Sequence, residues 1–533
     1  MTKTTFKDLT AENIEYIKHV YYQEMLHVEK MEILSKKFNV AERTIRSWWQ
    51  KLDLSKLSTN LSPQLQRAQE RLLNKNTKVV LVTTAQNKTA VNKDFLNNLI
   101  TYKNYITNEL GKVCEIVIIP SKYRNPTNNI EDEKAKYSEW WDDSVDEYLF
   151  YGKVLLGDTL ISCDSHISPT SKEPLNGFEI LASDNHLVLG HSKIHWKTLP
   201  RFRGAPLRTM SSTGYLTTKN YSKSKAGMVA YENHCYGFVV VEMKDKDICY
   251  IPRNVKVKSD GSFTDINNEV VNGKVGKAES SLGFIYGDFH ARQINRDFLE
   301  VTKKLVSVLK PKKSVIHDLL DSATMNHHEA KDMFIQRQKI IQGKHLIEEE
   351  VEESLDLLEE MKTCCGEVFV VESNHDLFLD KHINEGQWKR DLHNSPAYLK
   401  YALIQQTVDL TKYGNILGYL IEERFKGSVK YIKMGDSLYI SDYQCGQHND
   451  FGANGSKGST KGFGRMNLKL IGGHTHSPML FNNVTTVGVT ANLEQHYNRK
   501  GLSSWAFAHS VVHNNGKNQL LVFNDDYTLS GLI

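Results

Sequence analysis

The sequence predicts an α/β chain preceded by a small all-helical unit. Three observations carry that reading. Apolar residues recur at helical spacing through residues 11–52. A β-type run from Lys78 to Thr83, a helical stretch from Asn92 to Leu110 and a second run from Cys114 to Pro120 give a strand–helix–strand signal. From about Gly283 onward, apolar β-type runs alternate with polar turns and helical stretches. Length agrees, since 533 residues make about two to four domains at roughly 150 residues each. The expected divisions are 1–60 (helical), 61–280 (α/β or α+β) and 281–533 (α/β).

Composition excludes several classes. With 40% hydrophobic and 24% charged residues, the chain is not mostly disordered. The 67 basic and 63 acidic residues leave a net charge of +4, so any nucleic-acid contact must come from a local patch. No apolar run approaches the roughly 20 residues of a membrane span, and the N-terminus lacks a secretory apolar segment. The seven cysteines are odd in number and form no C-x-x-C pair. They read as reduced thiols of a cytoplasmic protein.

In the N-terminal unit, Leu34 and Phe38 share a helix face, Asn39 sits at a turn, and Ile45, Trp48 or Trp49 and Leu52 continue the stripe. This resembles a helix-turn-helix, whose second helix would present Glu42, Arg43, Arg46, Ser47 and Gln50 to a major groove. The competing reading is a hairpin used for packing or assembly. A polar helix is expected from Pro63 to Asn74 within a linker. In the middle region, His191 to Lys225 holds eight basic residues and no acid, among them Lys193, Lys197, Arg201, Arg203 and Arg208. Trp196, Phe202, Tyr215 and Tyr221 are interleaved. Cations that attract phosphates and rings that stack on bases make this segment an expected DNA-binding arm. The alternative is a loop whose partner acids lie elsewhere in the fold. Glu348 to Glu360 carries eight acids on a helical stretch, expected to be a solvated face. Asn515-Gly516 between two β-type runs marks a hairpin near the C-terminus.

Five blocks in the last half carry the chemistry. They are Gly287-Asp288-Phe289-His290, His317-Asp318-Leu319-Leu320-Asp321, Ser373-Asn374-His375-Asp376, Gly446-Gln447-His448-Asn449-Asp450 and Gly473-His474-Thr475-His476. The first three follow directly on β-type runs, where open α/β folds place their sites. Carboxylate, imidazole and amide oxygen suit a pair of divalent ions such as Mn²⁺, Fe²⁺ or Zn²⁺. A shared carboxylate, Asp318, would let two ions act together in phosphoryl transfer. The D-x-H pattern alone is weak, because it recurs at Asp164, Asp184, Asp380 and Asp391. The ordered set is specific.

That set resembles the calcineurin-like metallophosphoesterase superfamily over about residues 281–533, and within it the SbcD-like nuclease branch. The resemblance implies a β-sandwich flanked by helices with a dinuclear site at the strand ends. It implies one metal held by Asp288, His290, Asp318 and His476, and a second held by Asp318, Asn374, His448 and His474. His375 would act near the leaving oxygen, with Asp376 orienting it. Mn²⁺ is the expected metal, with Mg²⁺, Fe²⁺ or Zn²⁺ as alternatives. The family's usual glycines are replaced by His317 before Asp318 and by Ser373 before Asn374, and Gln447 intervenes before His448. His317 is a candidate for an added site contact. The whole layout also resembles the DNA-degrading first-step-transfer proteins of tailed phages.

The expected function is a metal-dependent DNA nuclease. Its rivals are a phosphatase of phosphoproteins or nucleotides, and a helix-turn-helix regulator with a vestigial enzyme domain. The glycine-rich loop Gly452 to Gly464 is an expected flap, with Lys457 and Lys461 as phosphate contacts. A homo-oligomer is a further expectation, since nuclease relatives often dimerise.

Overall fold

The N-terminal helices follow from their apolar spacing. Ala11–Tyr22, His27–Phe38 and Glu42–Lys51 bury Ile17, Met31, Leu34, Ile45 and Trp48 in one cluster. Asn39 turns between the last two helices at φ 52°, a conformation asparagine tolerates. The computed structural model describes residues 9–22, 27–51, 61–123, 139–326, 329, 332–364, 366–386, 389, 391–495, 498 and 501–533. Leu52 and the side chain of Gln50 lie outside the described residues. The polar helix expected to reach Asn74 is Pro63–Glu70, because Arg71 turns extended and donates to the Leu149 carbonyl at 2.7 Å.

The strand–helix–strand signal is realised. Val79–Gln86 and Cys114–Ser121 pair in parallel, with the helix Lys93–Asn108 between them in sequence. Asn92 caps that helix by accepting from the Phe95 amide at 3.0 Å. Phe95, Leu99, Tyr102 and Ile106 form its buried face. Gly237–Glu242 and Arg253–Lys256 extend the pair antiparallel into a four-stranded sheet.

Two larger sheets build the C-terminal half. In the six-stranded sheet the order is Val429–Ile432, Glu367–Val371, Pro311–His317, Ser281–Ile285, Ala508–His513, Asn518–Val522. The first four strands run parallel and the last two close it antiparallel. Asn515-Gly516 makes the expected hairpin, with Gly516 at φ 78°. Alternate residues face opposite ways. Ile285, Val315, Phe369 and Val371 meet Ile440, Cys445 and Ile471 of the second sheet. Phe284, Ile316, Val368 and Val370 instead pack in a helical layer with Phe298, Val351, Leu355 and Leu358.

The second sheet has ten strands and crosses position 280. Met479–Phe481 pairs antiparallel with Trp196–Leu199, which leads on to Arg208–Ser212, His186–Leu189, Thr159–Ser162 and Lys153–Leu156. Residues 153–212 therefore share one sheet with Leu470–Gly472, the strand that leads to His474. The six cysteines among the described residues are free thiols. Among the described residues no helix is long and apolar enough to cross a membrane.

The acids from Glu348 to Glu360 all lie on one helix, Ile347–Lys362. It is not a bare solvated face. Arg424 bonds Glu352 at 3.0 Å and Glu359 at 3.0 Å, Arg292 bonds Glu353 at 2.9 Å, and Glu360 accepts from Arg296 and Lys303 at 2.8 Å each. Glu350 is buried, and accepts from the amides of Ala323 at 2.7 Å and Thr324 at 3.0 Å.

A buried charge network joins the four-stranded sheet to the C-terminal half. Arg253 donates to Asp265 at 2.8 and 2.7 Å and lies 3.3 Å from Glu242. Gln519, on the edge strand of the six-stranded sheet, donates to Asp265 at 2.9 Å. Arg253→Met would leave Asp265 buried without its cation. The expected loss is about 3–5 kcal/mol of unfolding free energy, read by denaturant titration. A loss below about 1 kcal/mol would show that the network is not structural.

Candidate metal centre

Each sheet delivers its ligands just past strand ends. Asp288 follows Ser281–Ile285, Asp318 follows Pro311–His317, and Asn374 follows Glu367–Val371. From the facing sheet, His448 follows Tyr443–Gln444, and His474 and His476 follow Leu470–Gly472. The backbone bends sharply there. His290, Asp318, His474 and His476 have φ of 48°, 47°, 80° and 56°, a region side-chain-bearing residues seldom enter. Gly473 is required for close approach, since a Cβ there would lie 1.9 Å from Asp288 Oδ1.

The side chains converge. His290 Nε2 lies 3.0 Å from His476 Nε2 and 3.4 Å from Asp318 Oδ2. His448 Nε2 is 3.3 Å from Asp318 Oδ2, and His476 Nε2 is 3.2 Å from Asp288 Oδ2. The His474 amide donates to Asp288 Oδ2 at 2.7 Å, and the His474 and His448 rings stand 5.2 Å apart. A cavity of about 350 Å³ is lined by Asp318, Asn374, His375, His474, His476 and Lys457, among others.

Asp288 Oδ1, Asp318 Oδ1 and Asn374 Oδ1 are buried without a hydrogen-bond partner in the protein. Orphaned oxygens of this kind are costly unless a cation meets them. Three overlapping groups can hold a metal ion, with ligand atoms within 4.8 Å of one another: His290, Asp318 and His476; Asp288, Asp318 and His448; His290, Asp321 and His375. Electrostatics agree. Burial acts to raise Asp318, but His448, His375 and His290 outweigh it and pull the carboxyl well below its usual range. Burial acts to lower His448, yet Asp318 outweighs it and holds the imidazole at about 9.

The orientation of His375 departs from expectation. Asp376 accepts from the amides of Leu320 at 3.2 Å and Ser373 at 3.1 Å, so it braces two loops and does not orient His375. His375 Nδ1 instead meets the Asp321 carbonyl at 2.7 Å. Burial, then the nearby Asp318 charge, pushes Asp376 up to about 8. Asp321 was not given a role by its motif, although it stands three residues after Asp318. Its carboxylate is 3.2 Å from His290 Nδ1, backing the ring whose other nitrogen faces Asp318. His317 is buried 5.6 Å from the His448 ring, with both nitrogens unpartnered. The replaced glycines do not scatter the ligands, since Ser373 Oγ accepts from the Asp376 amide at 3.3 Å and holds that turn.

The chain is similar to a phage protein. Protein A1 of Escherichia phage T5 is 29% identical over 472 residues, which span 85% of this chain and 83% of that protein. The likeness supports a phage protein of this kind and a phage-related function. No family model matches the chain. A solved structure covering 45% of the chain at 13% identity has a TM-score of 0.25, too low to carry an argument.

The basic segment differs from the expected arm. Lys193 is buried and donates to the Ser171 carbonyl at 2.7 Å. Lys197 pairs with Glu179 at 2.5 Å, Arg201 with Asp525 at 2.5 and 2.8 Å, and Arg203 with Glu494 at 2.7 Å. Arg208 bonds the Ser183 carbonyl and lies 3.9 Å from Asp184. Trp196, Tyr215 and Tyr221 are buried, while Phe202 is exposed. These five residues are thus tied to acids or carbonyls of the fold, whereas Lys219, Lys223 and Lys225 are exposed. In the glycine-rich loop, Lys457 lines the site cavity and Lys461 is tied to Glu173 at 2.6 Å. Arg43 and Arg46 are exposed, with Arg46 3.9 Å from Glu42.

Gly473→Ala should weaken divalent-metal binding by about 10–100-fold while leaving the circular-dichroism spectrum unchanged. Calorimetric titration with Mn²⁺ checks it. Wild-type affinity in the variant would show that Asp288 is not a ligand.

Proposed function

We propose that this chain is a metal-dependent phosphodiesterase that cuts DNA, of the calcineurin-like metallophosphoesterase kind. The observation that carries the reading is the buried cluster of Asp288, His290, Asp318, His448 and His476, with orphaned oxygens, opening at Asp318 and His476 onto a cavity that Asn374 and His474 also line. Asp288, His290, Asp318 and His476 would hold one ion, and Asp318, Asn374, His448 and His474 a second. Two divalent ions, Mn²⁺ first and Mg²⁺, Fe²⁺ or Zn²⁺ as alternatives, would supply Lewis-acid charge to the phosphoryl oxygens.

The chain's own groups do the rest. His375 donates from Nδ1 to the Asp321 carbonyl, so Nε2 would pass a proton to the leaving oxygen from the doubly protonated ring. Lys457 places a cation at the cavity for a phosphate oxygen. Arg43 and Arg46 offer exposed cations on the second helix of the helix-turn-helix-like pair. Likeness to a phage protein and the layout resemblance support DNA degradation during infection as the setting. The same site suits a phosphatase, and the ion-paired state of residues 193–208 removes one argument for DNA over a phosphate monoester.

Linear and circular DNA incubated with Mn²⁺ and purified protein decides between them. Wild type should digest DNA, and Asp318→Ala should not. His375→Ala should lose about 10²–10⁴-fold in kcat with metal content retained. DNA left intact by wild type, together with turnover of chromogenic monoesters, would establish the phosphatase reading instead. Lys457→Ala should raise KM for DNA several-fold, whereas Lys461→Ala should leave it unchanged. Equal effects of the two would remove Lys457 from the phosphate site.

A further inference from the structure

We propose that Glu350 is a positioning residue for His375, an inference that rests on the reading of His375 as the group that protonates the leaving oxygen. The two are joined by the turn that follows the second ligand block. Asp321, Ser322, Ala323 and Thr324 are consecutive there, the first two bonded to His375 and the last two to Glu350.

On the His375 side the ring donates from Nδ1 to the Asp321 carbonyl at 2.7 Å. The Ser322 hydroxyl donates to the His375 carbonyl at 2.7 Å. Ring and backbone of His375 are thus held by adjacent residues. A carbonyl only accepts, so it keeps the Nδ1 proton in place and makes the Nε2 proton the one to be transferred. The position of the Asp321 carbonyl therefore sets the direction of Nε2. As water's oxygen bonds to phosphorus and the bond to the leaving oxygen breaks, that oxygen takes the Nε2 proton. The proton that water gives up restores the ring through solvent.

The turn is a weak support by itself. Ser322 stands at φ 57°, a costly conformation for a residue with a Cβ. A single short helical turn, Ala323–Met325, follows it, and Ser322 gives that turn no side-chain cap. The first amides of such a turn find no partner within it. Glu350 supplies one from outside. Its Oε1 accepts from the Ala323 amide at 2.7 Å, and its Oε2 accepts from the Thr324 amide at 3.0 Å and from the Thr324 hydroxyl. Of the eight acids from Glu348 to Glu360, Glu350 alone is buried. Its helix, Ile347–Lys362, is fixed through Val351, Leu355 and Leu358 in the core against the six-stranded sheet. A charge-assisted pair of amide bonds thus ties the turn to a rigid element. Lys339 adds a bond to the Ala323 carbonyl at 2.5 Å. The turn has a second outlet, because the Asp321 carboxylate lies 3.2 Å from His290 Nδ1.

The test compares leaving groups on full-length protein with Mn²⁺ and so separates the two routes. A deoxyribose oxygen needs a proton to leave, whereas p-nitrophenolate does not. Glu350→Gln keeps the shape but turns an NH₂ group onto one of the two amides. It should lower kcat on DNA about tenfold, with KM and Mn²⁺ affinity unchanged, and leave kcat on bis-p-nitrophenyl phosphate within about twofold. Added to His375→Ala, it should cost nothing further on DNA. Ser322→Ala acts on the same linkage from its other end, and should lower kcat on DNA about threefold with the same indifference to the p-nitrophenyl ester. If Glu350→Gln does not fold, the Ser322→Ala pattern decides alone. Equal losses on the two substrates, or additive losses in the double variant, overturn the positioning role. Weakened Mn²⁺ binding with loss on both substrates assigns the effect to His290 and overturns it too. The nuclease reading is judged on the wild type. DNA left intact, with monoesters hydrolysed, overturns that reading, and Glu350 is then judged by the same contrast between ethyl and p-nitrophenyl phosphate. Hydrolysis of no phosphoester with any divalent ion overturns both.

Discussion

The structure depends on one constraint: two carboxylates, Asp288 and Asp318, are both buried and both share the same histidines. Their relative exposures are 0% and 1%. Like charges this close oppose each other's ionisation, and burial opposes both. What keeps them ionised is positive charge at the same spot. In the protein alone, His448 and His476 supply it, and both are held above their ordinary imidazole range by the two acids. A divalent cation meets the same demand more fully, because it also satisfies the oxygens no protein donor reaches. Sandwich, strand ends and glycine placement can all be understood as means of bringing these two acids together from one sheet and the imidazoles largely from the other.

The facing sheet explains why the middle region matters to a site whose motifs all lie after residue 280. Lys197 and Trp196 pair with Met479 and Leu480, three to six residues beyond His474 and His476. The hairpin turn at 201–205 is thereby carried to the rim of the centre and held there by Ser503. The buried Arg253–Asp265–Gln519 network fixes the four-stranded sheet against the edge of the six-stranded one. Residues with no chemistry of their own thus set the walls of the cavity.

Legibility in the sequence followed the range of the determining interactions. The convergence of the candidate blocks was readable because each is local: a strand, a turn, then ligand-type residues. The same holds for the Asn39 turn, the Asn515-Gly516 hairpin and the strand–helix–strand unit at 79–121. The fate of the basic segment was not readable. Arg201 finds Asp525 and Arg203 finds Glu494, each about three hundred residues away, and charge density along the chain carries no trace of such pairings. For the same reason the eight acids after Ile347 looked solvated, although Arg292 and Arg424 reach across to them and Glu350 is buried. Asp376 illustrates a subtler limit. Adjacency to His375 suggested a pairing, but side chains of neighbouring residues at a strand end diverge, and its carboxylate reached the Leu320 and Ser373 amides instead. Trp505 had no sequence signal at all, since its contact with His476 is purely tertiary.

Backbone strain in the site has the same origin as its charge. His290, Asp318, His474 and His476 all occupy the left-handed region, and none is glycine or asparagine. Each such residue costs on the order of 1–3 kcal/mol, so the four together hold a few kcal/mol that the rest of the fold must offset. A site built only for stability would use glycine at these turns, as the chain does at Gly516. Glycine cannot ligate. The strain places a side chain able to reach the centre at the residue where the backbone reverses, and the buried layers on both faces of the six-stranded sheet supply the compensating stability. The replacement of glycine by Ser373 fits the same logic, because hydrogen bonds between Ser373 and Asp376 enforce that turn and it needs no conformational freedom at Ser373.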